Sequence, residues 1–145
     1  MYYEEIEELK RAMNKVIVDE GLVVPDRILI RQPSRGIRKK LGCCIKKRCR
    51  KTLTTKYTII VNTLTTKYTP DPTGNGRYRN NKTGQTYKAT YGVKIPINEI
   101  MNTAAHEIAH LKFWDHIPEH LSYTHHILTL LLNEVSWPKG TPHSD

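Results

Sequence analysis

Several things are scarce in this chain of 145 residues: one phenylalanine, two tryptophans, three methionines and three cysteines. Three cysteines, an odd number, do not make the paired framework of a small secreted domain. No apolar run approaches the roughly 18 residues that span a bilayer, and stretches such as Leu130-Leu131-Leu132 fall far short. The opening, Met1-Tyr2-Tyr3-Glu4-Glu5, is acidic where a secretory leader is basic and then apolar. These absences lead us to expect a soluble, cytoplasmic protein with no membrane partner. Acid is also missing from the middle: residues 27–98 hold eighteen Lys and Arg against Asp71 alone, a local charge of +17. Both flanks, 1–26 and 99–145, carry −4 each, so the net +9 is concentrated centrally. A positive face of this kind suits a polyanion, nucleic acid first.

What is present suffices for a packed core, since 38% of residues are hydrophobic and 26% charged. Ile6, Leu9, Met13, Val16 and Ile17 recur at helical spacing, and Glu4, Glu5, Glu7 and Glu8 load the first turns, predicting an amphipathic helix over residues 2–18. Arg27–Arg31, Tyr57–Asn62 and Tyr87–Ile95 read as strands, the second being β-branched and aromatic throughout. Residues 70–86 are turn-rich, and two helices follow, near Asn98–Phe113 and Pro118–Val135. Strands followed by helices without alternation predict an α+β fold with a small, mostly antiparallel sheet. A single domain would occupy residues 1–137, with a basic β-rich segment at 27–69, paired helices at 97–135 and a tail at 138–145. Thr52–Thr58 and Thr63–Thr69 share one heptapeptide, Thr-Leu-Thr-Thr-Lys-Tyr-Thr, which suits two neighbouring strands or one extended hairpin.

The chemistry lies in His106-Glu107-Ile108-Ala109-His110. Residues i and i+4 of a helix stand about 40° apart, so two imidazoles converge on one ion while the glutamate lies beside them. Ile97, Ile100, Met101, Ala104, Ile108 and Leu111 form one stripe, and on a helical wheel both histidines fall roughly 120–160° away from its centre at Ala104. Histidines merely satisfied within a core would lie in the stripe instead. A catalytic zinc takes three protein ligands and one open position. His116, six residues after His110, is the preferred third, with Asp115 as a residue able to turn the chain through the left-handed region; Glu119, His120 and His125 compete for the role.

At these residues the chain resembles the zincin metallopeptidases, closest to the SprT-like and YgjP-like group that includes the Spartan and WLM-type proteases. The stretch His106-Glu107-Ile108-Ala109-His110-Leu111-Lys112 with Asp115-His116 carries the likeness, which extends from Ile95 to Val135. The resemblance implies a zincin-like domain, one Zn2+ per chain, and endopeptidase activity on peptide or protein. A weaker resemblance connects His110–His116 to the YbeY-type endoribonucleases, which lack the glutamate. Glu107 favours the protease, because peptide hydrolysis needs a base for the attacking water. In this reading zinc sits on His106, His110 and His116, Glu107 moves the proton, and Tyr123 or His120 stabilises the oxyanion. The strand Tyr87–Ile95 would hold an extended substrate by strand addition. A non-enzymatic nucleic-acid-binding domain with structural zinc is the third class; it would show a fourth protein ligand.

The basic stretch offers Arg35, Arg38, Lys39, Lys40, Lys46, Lys47, Arg48, Arg50 and Lys51 as phosphate contacts for DNA or RNA across residues 27–56. Cys43, Cys44 and Cys49 fit no zinc knuckle, so a buried structural role or one disulfide is expected of them. His143 in the tail is a conceivable blocking ligand for the open metal position.

Overall fold

A computed structural model describes residues 3–31 and 41–136. The element order is α1 (Tyr3–Asp19), β1 (Arg27–Arg31), β2 (Gly42–Arg48), β3 (Thr55–Asn62), β4 (Leu64–Pro70), β5 (Tyr78–Arg79), β6 (Thr86–Lys94), α2 (Ile97–Ala109) and α3 (Pro118–Glu134). The fold is α+β as expected, with three helices and two small sheets. One sheet is mixed, in the order β1-β3-β2: β1 runs parallel to β3, β2 antiparallel to it. The other, β4-β6-β5, is antiparallel.

Helix α1 buries Leu9, Ala12, Met13, Val16 and Ile17 and exposes Glu4, Glu7 and Asp19, with Glu8 half-buried and Glu5 buried. Helix α2 is the central element, in contact with α3, β3, β2 and α1. Ile97, Ile100, Met101, Ala104 and Ile108 are at most 4% exposed, so the stripe faces the core. Each such aliphatic side chain contributes about 1.5–3 kcal/mol by leaving water. Thr103, Ala105, Glu107 and Ala109 are buried too, because the mixed sheet and α3 enclose α2 from more than one side. The helices cover that sheet through Ile59 and Val61, both fully buried on alternate positions of β3.

Four expectations need correcting. The basic stretch, expected only to supply phosphate contacts, contains strand β2, whose lysines disguise an edge strand where charge discourages pairing with other chains. The repeated heptapeptide does not pair with itself, since its copies lie in different sheets. In the first copy Leu53 turns the chain at φ 55°, while in the second Leu64 begins a strand. Asp115 does not take a left-handed conformation, Leu53 being the only non-glycine residue with positive φ among those described. Helix α2 ends at Ala109, four residues before the expected Phe113. The tail 138–145 with His143, and Arg35, Arg38, Lys39 and Lys40, lie outside the described residues. Among the described residues no helix is long and apolar enough to cross a membrane.

Candidate metal centre

His106 lies in the last full turn of α2, and His110 is its C-cap. Beyond it the chain tightens: Leu111 N–H donates to Ile108 O at 2.9 Å, and Lys112 and Phe113 both donate to Ala109 O at 3.1 and 2.9 Å. Unwinding here, rather than a left-handed residue, swings His116 back over the helix end. The Nε2 atoms of His106, His110 and His116 then stand 3.2, 3.2 and 3.1 Å apart in a triangle.

Hydrogen bonding alone cannot account for that triangle. An imidazole Nε2 carries either a proton or a lone pair, never both in its plane. Around a closed ring of three, two neighbours must therefore present the same face to each other. His110 is fixed further: its Nδ1 lies 3.2 Å from the Phe113 carbonyl, which accepts only if Nδ1 holds the proton, leaving a lone pair on Nε2. A cation at the centre removes the conflict. Imidazole nitrogens about 2.0–2.1 Å from a tetrahedral zinc lie roughly 3.3 Å from one another, so the spacing fits.

His120 belongs to the same cluster, and His106, His110 and His120 each bring a ring nitrogen within 4.8 Å of the others. This wider grouping also suits a metal ion. The tighter triangle of nitrogens is the one with His116, while His120 Nε2 donates to the His106 carbonyl at 3.1 Å. Its buried ring, 3% exposed, wedges against His106 and His110 with centroids 4.5 and 4.2 Å away. Burial pushes the His106 pKa down to about 4, helped by His120, His110 and His116. His110 and His120 are lowered for the same leading reason. Neutral imidazoles with lone pairs at neutral pH are what a divalent cation requires.

Glu107 is 5% exposed, and its Oε1 stands 4.0 Å from His106 Nε2. Two hollows share Gly42, His106 and Glu107. The larger, about 580 Å³, continues between α2 and α3 past Thr103, Leu121 and Thr124. The smaller, about 350 Å³, continues past Cys43, Cys44, His110, Trp114 and His116. Strand β2 walls this double cleft, and Gly42 allows the close approach. A Cβ there would lie 2.6 Å from Thr103 Cγ2 and 2.7 Å from the Ile60 carbonyl oxygen.

The remaining expectations divide. Among the described residues the strand that lines the cleft is β2, not the expected β6, and β2 pairs with β3 alone, leaving its other edge unpaired. Tyr123 turns to a separate hollow with Lys112, Phe113 and His126, its ring 5.8 Å from Phe113 and 5.7 Å from His126. It is not positioned as an oxyanion donor, and His120, committed to the His106 carbonyl, is not one either. Glu119 is exposed beside that separate hollow, and His125 lines the larger cleft without joining the triangle. Cys43, Cys44 and Cys49 are half-buried free thiols, so of the two expected roles the disulfide is not formed. Burial pushes the Cys44 thiol up to about 12, with Glu107 and Cys43 adding to it. Lys46, Lys47, Arg48, Arg50 and Lys51 are all exposed. Trp114 and the β2 cysteines are site residues that sequence periodicity did not flag. No protein-family profile, curated protein or solved structure matches the chain.

Proposed function

We propose that the chain is a zinc-dependent endopeptidase of zincin type. The observation that carries the proposal is the Glu107 carboxylate, buried at the junction of both hollows and 4.0 Å from a nitrogen of the histidine triangle. His106, His110 and His116 would hold the metal, which when bound supplies Lewis acidity toward water and a substrate carbonyl. Glu107 accepts a proton from the attacking water and returns it to the leaving amine. His120 is a positioning residue: its bond to the His106 carbonyl fixes the end of α2 from which two ligands project. The open edge of β2 offers backbone N–H and C=O groups to an extended peptide, and one of those N–H groups, rather than Tyr123, would face the developing oxyanion. The exposed basic residues Lys47, Arg48, Arg50 and Lys51 would hold DNA or RNA, so that protein bound there is cut.

Glu107→Gln tests the reading. Stoichiometric zinc should survive in the purified variant while peptide cleavage falls by roughly 10²–10⁴-fold, the usual contribution of a general base. Unchanged cleavage removes the mechanism. Hydrolysis of structured RNA, with no peptide cut by the wild-type protein, would move the chain to the YbeY-type class.

A further inference from the structure

The cleft has two chemically different ends. Along α2 the larger hollow involves Asn102 and Thr103 and the smaller one His110, with His106 and Glu107 common to both. Along the chain entering β2 the same order holds, from Leu41 through the shared Gly42 to Cys43 and Cys44. Two independent elements thus agree that the hollows meet at His106 and Glu107, with the whole histidine triangle lining the smaller one. The larger end carries Leu41 and Leu121, 44% and 61% exposed, and among the described residues no Lys or Arg lines it.

The smaller end opens onto Trp114, 42% exposed. Lys46 Nζ sits 5.3 Å above the Trp114 ring and 6.0 Å from the Tyr57 ring. Tyr57 and Trp114 meet edge to face at 6.3 Å, and Tyr57 is the register partner of Lys46 across β2 and β3. The two aromatic rings hold the ammonium in place. Among the described residues Lys46 forms no ion pair, and the nearby Asp26 carboxylate accepts instead from the Tyr57 backbone N–H at 3.2 Å. A fixed cation beside a reaction site, with no anion of its own, fits an anion on the substrate.

Building on the endopeptidase reading, we infer that the Lys46–Trp114 shelf selects peptides with an aspartate or glutamate on one side of the scissile bond, while the Leu121 hollow takes an apolar side chain on the other. Gly42 and Lys46 are four residues apart on β2, about 13 Å in extended chain, and the lysine side chain reaches back toward Trp114. The acidic residue therefore falls within about two to four positions of the cut. Electrostatic selection of this kind weakens with salt, whereas the apolar end does not.

The test digests a randomised peptide library with the zinc-loaded full chain and reads cleavage positions by mass spectrometry. Asp and Glu should be enriched at a fixed offset on one side, with Leu, Ile, Phe or Met across the bond. Lys46→Glu should lower kcat/KM for an acidic peptide at least ~10-fold and raise it for the matching lysine peptide. Lys46→Met, which keeps the stem, should only lose the acidic preference. Leu121→Glu, at an exposed position, should erase the apolar preference. A readout without turnover uses zinc-loaded Glu107→Gln: calorimetric affinity for the acidic peptide should fall ~10-fold when Lys46→Glu is added. Cleavage without acidic enrichment, or with an enrichment that Lys46→Glu leaves intact, overturns this inference and spares the endopeptidase reading. Absence of any peptide cleavage overturns that reading itself. Displacement of the acidic peptide by a short oligonucleotide that the protein then cuts would assign the shelf to nucleic acid and overturn the inference.

Discussion

At the scale of single residues, the site depends on which nitrogen of each histidine is free. His110 has its Nδ1 bound to the Phe113 carbonyl, and His120 has its Nε2 bound to the His106 carbonyl. The two histidines differ in role although both lie in the cluster. His116→Ala should abolish stoichiometric zinc, whereas His120→Ala should retain it with affinity lowered about 10–100-fold, the range found when a ligand's supporting partner is removed. Metal analysis after dialysis against a graded chelator separates the two, and equal losses would make His120 a ligand. The cysteines give a pH-dependent contrast. The Thr52 hydroxyl and nearby backbone N–H groups hold the Cys49 thiol down to about 7, while burial holds Cys44 up to about 12. Thiolate is the reactive form. Iodoacetamide should therefore label Cys49 with a rate rising through a midpoint near pH 7, and leave Cys44 untouched at pH 8. Peptide mapping of the labelled protein checks both.

At the scale of elements, the junction of β2 with α2 is the tight spot. Gly42 is needed there for space rather than for a left-handed backbone, since an added methyl meets a side chain on one flank and a main-chain oxygen on the other. Gly42→Ala should cost about 1–3 kcal/mol, as overpacked sites do, read as a lower urea midpoint at unchanged slope. The helices were legible in advance because their apolar positions keep a 3.6-residue period: α1 and α3 begin and end within a residue or so of expectation. The end of α2 was not legible, because residues 110–113 continue the helical pattern while their hydrogen bonds tighten to the carbonyls of Ile108 and Ala109. Strand β2 was missed for a different reason. Edge strands carry charge on positions a central strand would make apolar, so Lys46, Lys47 and Arg48 hid the alternation.

At the scale of the molecule, the charge separation visible in composition becomes a placement. Lys47, Arg48, Arg50 and Lys51 come together at the end of β2 away from Gly42 and in the turn after it. If about four of them meet phosphates, affinity for a single-stranded oligonucleotide should drop roughly 50-fold between 50 and 200 mM salt. Fluorescence anisotropy at the two salt concentrations measures this, and no binding at the lower one removes nucleic acid as a partner of this face.

The amino-acid sequence by itself determined the pair His106 and His110 on one side of an amphipathic helix with Glu107 between them, because those positions follow from helical geometry within a few residues. Tertiary structure decided whatever depends on distant chain segments meeting. It chose β2 over β6 as the cleft wall, turned Tyr123 away, and brought His116 rather than His120 into the triangle. The clearest case is the heptapeptide found twice: the same seven residues bend at Leu53 in one place and extend from Leu64 in the other. Their local preferences are identical, so the difference comes from the partners, β1 and β2 for one copy and β6 for the other.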